Sequence, residues 1–162
     1  YFLLSPAGAC RAIYPQNPFP ESVEIAQYIS DHCPPKGKVA ILGSEPQIYF
    51  YSRRMAATGY ICTYPLMEPQ PFADEMQKQM AQQIEAASPD YVVFVNNNGS
   101  WLRLVESDPF IFNWFDRYRR DHLQIVGLVE MYDDHSEFHW YDGGQTNVVA
   151  STKMWLAILK KK

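Results

Sequence analysis

Short apolar runs separated by helical patterns constrain the fold of this chain more than any other feature. Residues 39–42, 91–95 and 125–131 are almost continuously apolar, and each of the first two ends at turn-forming residues. A strand that is apolar on both faces is typical of a parallel sheet with helices on each side. Residues 60–64, rich in aromatic and β-branched side chains, predict a further strand. The chain is therefore expected to alternate strands and helices.

Helix signals stand between these strands. Ser5-Pro6 predicts the start of a first helix, because Ser caps a helix and Pro suits its first position. Residues 72–87 carry apolar side chains every three or four positions, which predicts an amphipathic helix. After residue 133 the pattern changes to that of antiparallel strands. These strands are predicted at residues 138–141, 147–150 and 154–159.

The predicted fold class is α/β. We expect an open three-layer α/β/α (Rossmann-like) sheet, mostly parallel, with antiparallel strands at the C-terminal edge. The 162 residues have the length of one domain, so we interpret residues 1–162 as a single domain with residues 1–20 as a lead-in. Because the chain begins at Tyr1 rather than at Met, we expect it to be part of a longer protein.

Charge and motif content exclude several classes of function. A net charge of −4 argues against nucleic acid as a partner, since the surface of a nucleic-acid-binding protein must neutralise phosphates. The three cysteines have neither disulfide-framework nor zinc-site spacing. No G-x-G-x-x-G and no G-x-S-x-G is present, so we expect no cofactor and no catalytic residue within this sequence.

Ligands of open α/β sheets bind beyond the carboxyl ends of the strands, which selects the candidate ligand-binding residues. Trp101 is expected to stack on a sugar ring, and the polar side chains to form hydrogen bonds. Most have a structural alternative: Ser44-Glu45-Pro46 suits a helix cap, and Arg53-Arg54 suits the last turn of a helix. The candidates are Ser44, Glu45, Gln47, Arg53, Glu68, Asn96 and Trp101.

A group of His and Asp residues near the C-terminus has the chemistry of metal ligands. On one strand, His135 and His139 would share a face. The surrounding sequence is also typical of an exposed hairpin in which such residues are merely solvated, and we expect no metal. The group consists of Asp133, Asp134, His135, His139 and Asp142.

Several longer stretches carry a family resemblance that covers most of residues 17–130. They are residues 39–54 (VAILGSEPQIYFYSRR), 57–60 (ATGY), 64–68 (YPLME) and 89–95 (PDYVVFV), with the lead-in NPFPES at 17–22. Together they resemble the soluble C-terminal domain of bacterial membrane glycosyltransferases of the dolichyl-phosphate-mannose protein mannosyltransferase-like (GT-C) superfamily. The residues from 133 onward match only loosely.

The resemblance implies a parent protein in the cell membrane that transfers sugar from a polyprenyl-phosphate donor to a glycan or protein acceptor. Its catalytic acidic residue would lie in a preceding membrane portion, so none is carried onto this sequence. The present domain would lie on the periplasmic, or extracytoplasmic, side, contacting the acceptor or covering the active site. Residues 1–4 would then be the end of a membrane helix.

Two other interpretations stay open at this point. A free-standing α/β domain would bind a nucleotide or another small molecule, although it would lack the usual glycine loop. A protein-docking module would use exposed aromatic side chains as its contact surface.

Overall fold

The structure is a computed structural model that describes residues 4–162. Its helices are α1 (Pro6–Ile13), α2 (Phe19–His32), α3 (Gln47–Ser52), α4 (Tyr64–Met67), α5 (Ala73–Ala87), α6 (Asn98–Trp101) and α7 (Phe110–His122). Its strands are β1 (Lys38–Leu42), β2 (Met55–Ala56), β3 (Tyr91–Asn96), β4 (Leu123–Met131), β5 (Ser136–Gln145) and β6 (Met154–Lys161). Within these described residues the strands form one sheet in the order β2-β1-β3-β6-β4-β5.

The apolar strands are buried on both faces, as their composition predicts. Val39 and Ile41 of β1 pack with α2 and α3 on one side of the sheet. Ala40 and Leu42 face the other side, toward α5 and α7. Because successive side chains of a strand point in opposite directions, one apolar run supplies both cores. The α/β class is therefore confirmed, with an open sheet of six strands in the described residues.

The prediction of a mostly parallel sheet is wrong. Only β2, β1 and β3 pair in parallel, whereas β6 is antiparallel to both β3 and β4, and β5 is antiparallel to β4. The antiparallel strands are also not confined to an edge. The last strand, β6, lies inside the sheet between β3 and β4, where Leu156 and Ile158 are fully buried, and β5 forms the edge.

Two predicted strands are also wrong. Residues 60–64 are not a strand, and the strand at this edge of the sheet, beside β1, is β2. Pro65 lies in the first turn of α4, where its fixed φ is favourable. Residues 147–150 have no regular structure and cross the face of the sheet, with Val148 packed against the core formed by α5 and α7.

The N-terminal lead-in folds onto the rest of the chain. Ser5 caps α1 as predicted, its Oγ accepting a hydrogen bond of 3.1 Å from the Gly8 amide. Arg11 of α1 forms an ion pair with Glu21 of α2, whose side chain is 1% exposed. Of the predicted membrane-helix end at residues 1–4, residues 1–3 lie outside the described part.

Candidate functional site

The carboxyl ends of β1 and β3 form the topological switch point of the parallel half of the sheet. From β1 the chain passes through α3 to β2 on one side, and it then returns through α5 to β3 on the other side of β1. Loops leave this point in opposite directions, which in other open α/β sheets opens a crevice for a ligand. Here the crevice is bounded by residues 43–46 and 97–101.

The chain's own side chains fill this crevice. The Ser44 amide donates to Ser100 Oγ at 2.8 Å, and the Ser100 hydroxyl donates to Glu45 Oε2, also at 2.8 Å. Glu45 is 3% exposed, and this burial raises the pKa of its carboxyl to about 7, although the bonds from Ser100 and the Ser44 amide partly oppose the rise. The Ser44 amide, which would otherwise be offered to an anion, is therefore already paired.

The segment before α4 closes the crevice from a second side. Thr63 donates its backbone amide to Ser44 Oγ at 3.0 Å, and the Tyr64 hydroxyl donates to the Gly99 carbonyl at 3.3 Å. Gly43 permits the close approach of the loops. It has φ 151°, and a Cβ there would lie 2.7 Å from Ser100 Oγ. The result is a closed network of hydroxyls around one carboxyl group.

The other predicted polar residues are not brought to this network. Gln47 donates to Ser22 Oγ in α2 at 2.9 Å. Arg53 follows α3 in the left-handed conformation with φ 54°, while Glu68 is exposed at the end of α4. Asn96 donates to the Lys153 carbonyl at 2.9 Å. A ligand-binding role for these side chains stays a prediction.

Trp101 and Arg54 have structural partners. The Trp101 indole N–H donates to the Val95 carbonyl at 2.8 Å, and the side chain is 3% exposed, so neither face of its ring is open to a sugar. Arg54 donates to the Ser30 and Cys33 carbonyls at the end of α2. Arg54 also donates to the carbonyl of Ser52, the last residue of α3, at 2.9 Å, so it binds the carboxyl ends of both α2 and α3.

Within the predicted His and Asp group, the two histidines have different principal partners. His135 Nδ1 lies 2.6 Å from Asp134 Oδ1, at the exposed turn between β4 and β5, and its Nε2 lies 3.6 Å from Glu137 Oε1. His139 instead faces Glu130 and Glu137, neither of which the sequence analysis selected. Glu137 lies on β5 with His139, whereas Glu130 lies on β4, so strand pairing brings Glu130 to the other two.

A separate cavity of about 310 Å³ lies between α7 and the face of the sheet, under the segment that joins β5 to β6. Its walls are largely apolar. On the floor, Phe94 stacks on Phe115 with ring centroids 4.7 Å apart, and Trp155 lies 5.7 Å from Phe94. The remaining lining residues are Phe112, Asp116, Arg119, Ile125, Leu128, Val148, Ala150, Ala157 and Leu159.

An ion pair lies at the wall of this cavity. Arg119 donates to Asp116 Oδ1 through Nη2 at 2.6 Å, which holds the pKa of Asp116 below its usual range. A smaller, more polar pocket of about 210 Å³ adjoins the cavity, and its lining includes Arg119, Arg120 and Lys162. An apolar cavity therefore opens beside three cationic side chains and one carboxylate.

A sequence signal for this cavity exists and was missed. Phe112, Phe115, Asp116 and Arg119 are spaced three, one and three positions apart, which puts all four on one face of α7. Ile111, Trp114 and Tyr118, on the adjoining face of the same helix, are buried in the core. The segment 146–150 that covers the cavity could not be placed without the tertiary structure.

Comparisons with protein-family models, with curated proteins and with solved structures find no significant match to this chain. Within residues 4–162, every helix is too short or too polar to span a bilayer.

Proposed function

We propose that this chain is a non-catalytic, extracytoplasmic domain of an integral-membrane glycosyltransferase that uses a polyprenyl-phosphate-linked sugar donor. The family resemblance of residues 17–130 first suggests this role. The structural observation that carries this proposal is the cavity beside α7, because its apolar walls and neighbouring cations match an apolar chain that ends in an anionic phosphate.

The size of the cavity limits what it takes up. At about 30 Å³ for each heavy atom, the volume of 310 Å³ corresponds to about ten carbon atoms, or two isoprene units. The phosphate end would then lie in the adjoining pocket, near Arg119 and Arg120. A guanidinium binds phosphate oxygens through two parallel N–H groups. Arg119 donates through Nε and Nη2 to Asp116, and Arg120 also pairs with this carboxylate, so a bound phosphate would have to displace Asp116 from one of them.

An exposed apolar loop supports contact with the membrane portion of the same protein. After α6, the side chains of Leu102, Leu104 and Val105 are 53%, 47% and 99% exposed. Consecutive exposed apolar side chains on one loop favour an apolar neighbour. In the proposed arrangement this loop contacts the membrane portion, and the cavity holds part of the lipid donor.

The rival nucleotide-binding function is less well supported. The Ser44 amide at the switch point is paired with Ser100, and the buried Glu45 carboxyl stands where a phosphate would approach. A nucleotide would have to displace both contacts.

The test is a titration of the 162-residue chain with geranyl phosphate, in which isothermal titration calorimetry measures the binding. We expect one site, much weaker binding of geraniol, and negligible binding of inorganic phosphate. Arg119→Gln should weaken the binding of geranyl phosphate. Arg117→Gln should leave this binding unchanged, because Arg117 lies on the same helix but is exposed and away from the cavity. Ala157→Leu, which fills the cavity, should abolish binding. Equal binding by wild type and both Arg119→Gln and Ala157→Leu would refute the cavity as the site.

A further inference from the structure

Two carboxylates and a histidine converge at the edge of the sheet, on the face of the β4–β5 ladder. Glu130 of β4 lies directly opposite Glu137 of β5 in the antiparallel register. His139, two positions along β5 from Glu137, points to the same face of the strand. Like charges directly opposite each other destabilise a strand pair, so this arrangement favours a cation between the two carboxylates.

The distances fit a single metal ion. His139 Nε2 lies 3.3 Å from Glu130 Oε2 and 3.5 Å from Glu137 Oε2. One ligand atom from each of the three residues falls within 4.8 Å of the others. Ligand atoms at about 2.0–2.1 Å from zinc, at the tetrahedral angle, are about 3.4 Å apart. The contacts of His139 with both carboxylates therefore have the length that shared zinc coordination requires.

The backbone holds the central ligand in place. The Glu130 side chain is 7% exposed, and its Oε1 accepts hydrogen bonds from the amides of Ser151 and Thr152. This leaves Oε2 directed at His139. Partners of this kind, behind the coordinating atoms, orient the ligands of metal sites. Glu137 and His139 are 47% and 41% exposed, so water can complete the coordination on the open side.

We propose that Glu130, Glu137 and His139 bind a divalent first-row transition-metal ion, with Zn²⁺ as the best-fitting ion. A nitrogen ligand with two carboxylates is the donor set of zinc, manganese and iron sites, whereas calcium and magnesium favour oxygen alone. Three protein ligands with an open position is also the pattern of zinc sites that retain a bound water. This site is separate from the cavity and does not depend on the proposed glycosyltransferase role.

The experiment is a Zn²⁺ titration of the 162-residue chain in competition with a chromophoric chelator. We expect one equivalent to bind, with a rise in Tm that EDTA reverses, since a ligand that binds only the folded state stabilises it. Co²⁺ used in place of Zn²⁺ should give the visible absorption of a low-coordinate site. His139→Gln and Glu137→Gln should each weaken binding by about tenfold or more.

His122→Gln is the matched control, because His122 is also exposed but lies at the end of α7, where it contacts none of the three proposed ligands. It should leave the Zn²⁺ affinity of the chain within about twofold. If His122→Gln weakens binding as much as His139→Gln does, the proposed ligand set is wrong. No binding by wild type at about 1 mM Zn²⁺ would also overturn the proposal.

Discussion

The buried carboxyl of Glu45 makes the stability of this protein depend on pH in a direction opposite to that of an acid whose pKa is lowered by an ion pair. Burial raises its pKa from 4.5 to about 7 in the folded chain. Below pH 4.5 the group is protonated in both the folded and the unfolded state. Between pH 4.5 and 7 the unfolded chain loses this proton while the folded chain keeps it, so the free energy of unfolding falls as pH rises.

The size of the effect follows from the two pKa values. Each pH unit between them corresponds to about 1.4 kcal/mol, so the full loss is about 3 kcal/mol and is complete above pH 7. Glu45→Gln removes the titration and keeps an oxygen that accepts the Ser100 hydrogen bond. The difference in stability between variant and wild type should therefore shift in favour of the variant by about 3 kcal/mol between pH 4.5 and 8.

Urea unfolding of both proteins across this pH range measures the difference. With an m value of about 2 kcal/mol/M, the relative shift of the midpoint is about 1.5 M urea. Other titrating groups act on both proteins and cancel in the comparison. Ser100→Ala is a second check, because losing the hydroxyl that donates to Glu45 should raise the pKa further and extend the pH window upward. A wild-type and Glu45→Gln difference that stays constant from pH 4.5 to 8 would refute this reasoning.

Three further substitutions test the fold by urea unfolding at pH 7. Gly43→Ala should lower the free energy of unfolding by about 3 kcal/mol, since φ 151° is unfavourable for alanine and its Cβ would overlap neighbouring side chains. A loss below about 1 kcal/mol would contradict this. Gln77→Met should lower the free energy of unfolding by about 3 kcal/mol, because the fully buried side-chain amide of Gln77 accepts a hydrogen bond from the Ile111 backbone N–H at 2.8 Å and donates to two carbonyls. An unchanged urea midpoint would show that these bonds are dispensable. Arg11→Met should lower the free energy of unfolding by about 3 kcal/mol, because the buried carboxylate of Glu21 loses its cationic partner and keeps only the Ser136 hydroxyl. Adding Glu21→Leu should recover most of this loss; a double variant no more stable than Arg11→Met would disprove the argument.

The sheet shows how far local pattern reaches. β1, β3 and β4 are recognisable as continuous apolar runs, and α5 by its repeat of apolar positions, because burial on both faces or on one stripe leaves a direct mark on composition. β2 is only two residues long and carries no such mark. Residues 60–64 have the composition of a strand but form a turn and the start of α4.

The switch-point residues show a similar division. The sequence shows that Ser44 and Glu45 follow a buried strand. The predicted capping of α3 by Ser44 and Glu45 is wrong, because Pro46 is the N-cap residue and no side chain caps this helix. The hydrogen bonds of Ser100 to both residues could not be predicted, because Ser100 is 55 positions away from Glu45 along the chain. A tryptophan side chain can stack on a sugar ring, but that of Trp101 is buried against the end of β3.

By itself the amino-acid sequence determined the α/β class, the principal strands and the amphipathic helices, because these depend on periodicities within a few neighbouring residues. Only the tertiary structure decided that β6 lies between β3 and β4, that residues 146–150 cover an apolar cavity, and that Glu130 meets Glu137 and His139. Each of these depends on which strand pairs with which. That choice is made by the packing of distant segments, which leaves no local pattern in the chain.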